Sequence, residues 1–339
     1  MKSSKIAVLM HEDLVPPPDI KLSENEREKS PYKTEYDVVN ALKAAGHDVI
    51  SLGVYDELAV IRNAIKDFRP HLVFNLLEEF NGNTLFDSHV VSFLELMKIP
   101  YTGSNPRGLM LARDKALAKK IMSYHRLKTP KFWVYPKSKR VKLPAGLKFP
   151  LIVKCLWEEA SYGISKGSVV HSEQKLLERI EFIHSNLEND ALVEQFVAGR
   201  ELYVGIIGNE RPYALPVWEL SFENVSDPEN EIYSANAKFN EDYRKRKGIQ
   251  TGAARLSAEE TKRIQDICKR VYRNLDLSGY ARIDLRYTED KQVMILEANP
   301  NPDISHDDEF ALSALADGWS YREVLEKIMT LGLTWSKRY

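Results

Sequence analysis

One stretch limits what this chain can fold into more than any other: Gly279-Tyr-Ala-Arg-Ile-Asp-Leu-Arg-Tyr-Thr-Glu-Asp-Lys-Gln-Val-Met-Ile-Leu-Glu-Ala-Asn-Pro-Asn-Pro302. It reads as two strands joined by a turn centred on Glu289-Asp290. Side chains alternate between faces along a strand. A register with Arg282 opposite Glu297 and Asp284 opposite Ile295 sorts the hairpin into two surfaces. One carries Arg282, Asp284 and Glu297, with Asn299 at its open end. The other carries Ile283, Leu285, Met294 and Leu296 and suits a core. Asp284 and Glu297 become diagonal neighbours, on the order of 7–8 Å apart at the backbone. Two carboxylates and an amide oxygen on one face suit a hard cation such as Mg2+ that also keeps phosphate oxygens. A surface hairpin with solvated charge is the plainer alternative. It gives no reason for the polar face to end in Asn299-Pro300-Asn301-Pro302, where the chain must leave the sheet.

The first hundred residues alternate short apolar runs with helical patterns. Strands are predicted over 5–10, 48–54, 71–76 and 99–101, and helices over 33–45, 58–68 and 87–97. That alternation predicts a parallel sheet covered on both faces. The 14–32 stretch, with Pro16-Pro17-Pro18 and the charged run 24–29, is long for a connection; it reads equally as a disordered tip or a substrate lid. A helix over 113–125, strands over 132–135, 150–155, 167–171 and 191–196, and a helix over 173–187 follow. Strands over 201–207 and 211–219, a helix over 258–275, the hairpin over 280–298 and a helix over 321–331 complete the chain. The expected division is 1–112, 113–193 and 194–339.

The 339 residues leave room for two or three lobes, and 43% hydrophobic with 29% charged residues is an ordinary globular balance. The net charge of −1, from 48 basic and 49 acidic residues, gives no field toward nucleic acid or anionic membrane. The basic run 137–142 reads as a solvated turn. No apolar run approaches the roughly 18 residues that span a bilayer, and the apolar run 6–9 is too short for a secretory segment. Cys155 and Cys268 lack metal-like spacing and read as buried thiols, which fits a reducing cytoplasm. The expectation is a cytoplasmic protein with no nucleic-acid or membrane partner. Neither the P-loop pattern nor GxGxxG occurs, so both standard glycine-rich nucleotide loops are absent.

The run from Ala281-Arg-Ile-Asp-Leu285 through Leu296-Glu-Ala-Asn299 closely resembles the metal hairpin of the ATP-grasp superfamily. The resemblance implies that Asp284, Glu297 and Asn299 hold two Mg2+ ions on the phosphates of ATP, with Mn2+ as a substitute. It implies that Arg282 stabilises an acyl phosphate and a tetrahedral intermediate. Other segments match in the family's order. Asp114-Lys115 resembles the first phosphate-contacting lysine, although a solvated helix lysine is the plainer reading of Lys115 by itself. Phe149-Pro-Leu-Ile-Val-Lys154 resembles the strand whose lysine reaches the adenine and α-phosphate side; a lysine closing an apolar strand needs an anion. Leu192-Val-Glu-Gln-Phe-Val-Ala-Gly-Arg-Glu201 resembles the adenosine-binding hinge. There Glu194 would accept from the adenine amino group, the backbone at Gln195 and Val197 would complete the base edge, and Glu201 would hold the ribose hydroxyls. Glu158-Glu-Ala-Ser-Tyr-Gly-Ile-Ser-Lys166 resembles the loop that folds over the phosphates, with Ser161 the expected contact and Gly163 allowing close backbone approach.

Lys238, in Ser234-Ala-Asn-Ala-Lys-Phe239, matches the γ-phosphate lysine of the D-alanine–D-alanine ligase branch. That branch is also similar in 69–76 and 93–104, and similarity runs from about residue 41 to 331. The implied fold class is α/β (α+β), an ATP-grasp fold of three lobes with a parallel-sheet N-terminal lobe and ATP between the central and C-terminal lobes. The implied activity is an ATP- and Mg-dependent ligation of a small-molecule acid to an amine through an acyl phosphate; a homodimer is compatible with it. A small-molecule kinase of the same superfamily would keep the same grip. A non-catalytic ATP-binding regulator should have lost metal ligands, and all three are present.

Departures from the branch cluster at its amino-acid sites. A Gly-rich segment and an ammonium-binding glutamate are replaced by Met10-His-Glu-Asp-Leu-Val-Pro-Pro-Pro18. Ala160 stands for a serine and Asn75 for a histidine. Asp303 stands where a glycine N–H helps bind the oxyanion, and Asp308 where a serine receives the second substrate's carboxylate. D-Alanyl-D-alanine synthesis therefore does not fit. An anion facing Asp308 is repelled, the more so in a low-dielectric pocket. With Asp303 and Asp308 as substrate residues, the expected acceptor carries a second amino or guanidinium group or a masked carboxylate. The alternative is that the acids cap the helix beginning at Glu309, since Asp307 and Asp308 precede it.

Overall fold

Three sheets organise the computed structural model, which describes residues 3–157, 164–232, 237–238 and 240–336. In the first, β1 (Lys5–His11), β2 (Asp48–Val54) and β3 (Leu72–Asn75) are parallel in the order β2-β1-β3. Helices cover both faces, so the central strand must be apolar throughout; Ile6, Ala7, Val8, Leu9 and Met10 are fully buried. Helices Lys33–Ala44 and Tyr321–Trp335 pack on one face through Val38, Leu42, Val324 and Ile328. Helices Leu58–Phe68 and Asp87–Leu96 pack on the other through Ile61, Val90 and Leu94. The strand predicted over 99–101 is reduced to one parallel bridge, Val73 to Tyr101.

The second sheet is antiparallel: β4 (Phe132–Tyr135), β5 (Leu151–Cys155), β6 (Val169–Val170) and β7 (Ala191–Gln195), in the order β4-β7-β5-β6, backed by helix Glu173–Asn186. The strand predicted over 167–171 shrinks to two residues because Lys166–Ser168 forms a 3-10 turn. The third sheet holds β8 (Arg200–Ile207), β9 (Tyr213–Ala214), β10 (Trp218–Phe222), β11 (Ile249–Ala253), β12 (Tyr280–Tyr287) and β13 (Val293–Pro300). Its order is β11-β10-β8-β12-β13, with β9 also on β8. Helix Ala258–Asn274 seals its apolar face with Ile264, Cys268 and Val271 against Val204, Ile283 and Leu285. The single strand predicted over 211–219 is two short ones, interrupted where Pro216 supplies no N–H to a ladder.

The helix predicted over 113–125 is present as Lys115–Tyr124, and a further helix that was not predicted, Pro106–Arg113, precedes it. Asp114 between them is extended, and its Oδ1 accepts from Leu117 N–H at 2.8 Å. The first helix had a legible start, with Asn105 as cap and Pro106 at its first position. The 14–32 stretch is pinned rather than a loose tip. It carries helix Glu24–Glu28, whose Arg27 makes two 2.7 Å bonds to Asp37 and reaches Asp307 at 3.1 Å. The first and third sheets meet where Gly279, at φ +69°, lies against Gly103; a Cβ on Gly279 would come within 2.4 Å of the Gly103 carbonyl oxygen. No helix among the described residues is long and apolar enough to cross a membrane.

Candidate active site

The hairpin β12–β13 does not have the register read from the sequence. Asp284 pairs directly with Glu297 and Arg282 with Asn299, whereas Leu285 pairs with Ile295, so Leu296 is an extra residue in a β-bulge. The bulge resets the alternation of β13. Val293 and Ile295 before it and Ala298 after it lie in the core, while Glu297 and Asn299 turn to the opposite face. Met294 and Leu296 were expected in the core; both are only half-buried, and Leu296 lines the cleft. Without the extra residue, Ile295 and Glu297 would share a face. The bulge carbonyl is satisfied by Lys119 Nζ at 2.6 Å.

On β8, Tyr203 lies directly across from Asp284 and Glu201 directly across from Arg286. One sheet face therefore carries Glu201, Tyr203, Arg282, Asp284, Arg286, Glu297 and Asn299. Arg282 Nε is 2.8 Å from Asp284 Oδ1, its Nη2 is 3.0 Å from Oδ2, and Asn299 Nδ2 donates to Oδ2 at 3.0 Å. The Arg282 guanidinium also stacks 4.8 Å from the Tyr203 ring centre and lies 3.5 Å from Glu309. Burial pushes the Asp284 carboxyl up to about 6 against the pull of Arg282, with Glu297 and Glu201 adding to the push. Burial also works against a charged Glu297, but Lys115, Lys154 and Arg282 outweigh it and hold its pKa below the usual range.

This donor set fits a hard divalent cation. It is rich in oxygen and largely screened from solvent, and Arg282, which holds both oxygens of Asp284, would share that carboxylate with the ion. Among the described residues no three His, Cys, Asp or Glu side chains are arranged to hold a metal by themselves. Two carboxylates and an amide leave further coordination to phosphate oxygens and water, the preference of Mg2+.

Behind the hairpin, Glu194 is 2% exposed at its side chain and lies between two lysines. Lys119 Nζ is 2.7 Å from Oε1; Lys154 Nζ is 3.0 Å from Oε2, an ion pair without hydrogen-bond alignment. Burial opposes the charge of Glu194, yet the two ammonium groups bring its pKa down to about 2. At Lys154 burial is outweighed by Glu194 and Glu297, and its pKa is raised. Lys115 opens its helix within electrostatic reach of Glu297.

The hinge residues follow in sequence. Gln195 N–H donates to the Lys131 carbonyl at 2.8 Å, and Gln195 and Val197 both line the cleft. Glu201 accepts from Tyr203 Oη at 2.9 Å and from Arg286 Nη2 at 2.7 Å. Arg286 also donates to the carbonyls of Gly199 and Glu231, each at 2.7 Å. Lys238 lines the same cleft. Ser161, Ala160 and Gly163 lie outside the described residues.

At the far end, Asp303 Oδ1 accepts from Thr34 Oγ1 at 2.8 Å and from Ser305 N–H at 2.7 Å. Asp308 occupies the cap position of helix Glu309–Ala316, but its side chain makes no capping hydrogen bond. The capping alternative thus holds for the position of Asp308 and not for a side-chain cap bond. Asn75 Oδ1 is turned to its own loop, where it accepts from Leu77 N–H at 3.2 Å.

Sequence reasoning missed Lys119 and Arg286. Arg286 was legible, because it shares the strand face of Arg282 and Asp284 at a spacing of two. Lys119 follows Lys115 by one helical turn and stands among the buried Ala116, Ala118 and Met122, a pattern that calls for a buried anion.

The D-ala D-ala ligase C-terminus family matches residues 115–330. A D-alanine–D-alanine ligase of Pelotomaculum thermopropionicum is 30% identical over 320 residues, covering 91% of this chain and 93% of its own. The uncharacterized protein y4sG of Sinorhizobium fredii is 30% identical over 300 residues, 86% of this chain and 85% of its own. Among solved structures, D-alanine–D-alanine ligase from Bacillus anthracis complexed with ATP has the same fold at a TM-score of 0.76 and 21% identity, covering 99% of both chains. VanG D-Ala:D-Ser ligase from Enterococcus faecalis gives 0.69 at 21% identity, over 98% of this chain and 100% of its own.

Proposed function

The chain belongs to the D-ala D-ala ligase family, and we propose that it is an ADP-forming ligase joining a small-molecule carboxylate to an amine. The observation that carries this reading is the single sheet face on which Asp284 stands directly between Glu297 and Tyr203, flanked by Arg282 and Asn299. In this reading Asp284, Glu297 and Asn299 hold two Mg2+ ions, replaceable by Mn2+. When bound, Mg2+ offsets phosphate repulsion and the charge that develops in phosphoryl transfer. Lys115, Lys154, Ser161 and Lys238 contact the phosphates. Glu194, Gln195 and Val197 hold the adenine edge, and Glu201 the ribose. The nucleotide lies between lobes 113–193 and 194–339, with 1–112 as the third lobe.

The acid's oxygen takes the γ-phosphoryl group as ADP leaves. The amine nitrogen then attacks the acyl carbon; the C–N bond forms, phosphate leaves and the amine releases a proton. Arg282, buried and already oriented by Asp284, faces the oxyanion of that second step. A cytoplasmic homodimer is the proposed state, tested by sedimentation at working concentration. The decisive test of the activity is a screen of acid and amine pairs, with ADP and phosphate measured and products weighed by mass spectrometry. A ligase releases phosphate only with both substrates. ADP release with a stable phosphorylated product and no need of an amine would make the protein a kinase.

A further inference from the structure

We propose that the amine acceptor of this enzyme carries a second, cationic nitrogen and no free carboxylate, a diamine that seats its distal charge against Asp308. The inference rests on the ligase reading for its chemistry, but its binding site stands on separate observations.

The cleft holds about 1160 Å³ and runs from the hinge at Gln195, past the hairpin, to an end lined by Glu35, Asp303, Asp308 and Glu309. There the Oδ1 atom of Asp308 is buried and has no hydrogen-bond partner among the described residues. A buried carboxylate oxygen left this way carries a desolvation cost that a donor from a ligand would relieve. Burial, Glu309 and Asp303 all disfavour its charge, and Arg282 is the cation that opposes them. Glu35, itself 5% exposed, lies beside Glu78 and Asp303. Burial and these two acids push the Glu35 carboxyl up to about 7.

Three cations that line the cleft are already held by acids. Lys33 Nζ is 2.6 Å from Asp307, Arg113 Nη2 is 2.6 Å from Asp87, and Arg282 is shared between Asp284 and Glu309. A carboxylate entering here would meet Asp308 and Glu309 and could claim Arg282 only at the expense of Asp284. A protonated amine meets acids whose charge burial and crowding disfavour, and its own charge favours their ionisation. The reacting nitrogen must be neutral to attack; the distal nitrogen keeps its proton and pairs with Asp308.

The test uses the full chain with Mg2+ and a non-hydrolysable ATP analogue. Binding of 1,4-diaminobutane, butylamine, D-alanine and L-lysine is measured by calorimetry on the parent, Asp308→Ser and Asp308→Asn. Analogue binding reports that each variant is folded. The expected result is that diaminobutane binds tighter than butylamine by on the order of 10–100-fold, as a charge-assisted hydrogen bond implies, and that both variants lose this margin. Equal binding of the two amines, or preference for D-alanine or lysine, overturns the proposal. Turnover separates it from the ligase reading. Diamine binding that depends on Asp308, without phosphate release for any acid, leaves the site standing and removes the ligase. Phosphate release only with carboxylate-bearing acceptors keeps the ligase and removes the site.

Discussion

Replacing Lys119 by methionine removes the ammonium that joins Glu194 to the bulge of the β12–β13 hairpin. The side chain is 1% exposed, with Nζ 2.7 Å from Glu194 and 2.6 Å from the Leu296 carbonyl. Methionine fills nearly the same volume, so the loss is electrostatic rather than a cavity. Breaking a buried pair typically costs about 3–5 kcal/mol because the surviving charge is stranded. Glu194 keeps Lys154 at 3.0 Å, which places its share at the low end, about 2–3 kcal/mol. The bulge carbonyl loses its donor, an unmade buried bond worth about 1–3 kcal/mol. The two losses come from one ammonium and overlap, so the expected total is about 3–4 kcal/mol. Urea unfolding followed by far-UV dichroism and by the summed fluorescence of the five tryptophans measures it. A double-mutant cycle with Glu194→Gln should return a coupling on the order of 1–3 kcal/mol. Lys119→Met within about 0.5 kcal/mol of the parent, the range of an ordinary surface change, would refute the reasoning.

Asp284→Asn and Glu297→Gln should abolish turnover while the fold stays intact, because both acids face the cleft rather than the core; parental rates in either folded variant at limiting Mg2+ would remove the metal assignment. Arg282→Ala should lower kcat by roughly 10²–10³ and raise the KM for ATP far less, whereas a pure loss of ATP affinity would make Arg282 a phosphate clamp. Glu35→Gln should change how stability depends on pH. Burial and its acidic neighbours push the folded carboxyl up to about 7 from an ordinary value near 4.5, so its contribution is complete below the unfolded value and is lost as pH rises through 7. Between pH 5 and 8 the parent should therefore lose up to about 3 kcal/mol through this group, and the glutamine variant should not. Parallel stability profiles for the two proteins would contradict the burial argument.

The first sheet was legible because its strands are buried on both faces and therefore read as unbroken apolar runs. The strand over 48–54 and the helix over 58–68 have the limits predicted. The hairpin's composition was legible too, but not its register. A bulge adds one residue without any local signature, since Leu296 looks like another core leucine. Only packing distinguishes it, through Ile295 on the helix side and Lys119 on the bulge carbonyl. The buried pair Arg27–Asp37 was hidden for a different reason. Its partners lie ten residues apart, one in the short helix Glu24–Glu28 and the other in the helix that follows, and a charged run such as 24–29 reads as solvated until the third member, Asp307, arrives from 280 residues downstream.

The two ends of the cleft have opposite electrostatics, and the hairpin is the seam. Lys115, Lys119 and Lys154 surround Glu194 and Glu297 on one side, so an incoming polyphosphate finds cations whose present partners are buried acids. On the other side Asp303 stands close enough to Glu35 and to Asp308 to raise the proton affinity of both. Arg282 sits between them, bonded to Asp284 and 3.5 Å from Glu309. A ligand that binds Asp284 from the nucleotide side weakens that acid's hold on Arg282. The guanidinium is then freer to face a developing oxyanion, and a cation at Asp308 keeps the acids beyond it from drawing Arg282 away. Nucleotide and acceptor should accordingly bind with positive coupling through Arg282. Measuring diaminobutane affinity with and without the ATP analogue, in the parent and in Arg282→Lys, tests this. The parent should show tighter binding with nucleotide present, and the lysine variant, which has no fork to share between two carboxylates, should show little change; equal coupling in both proteins would place the link elsewhere.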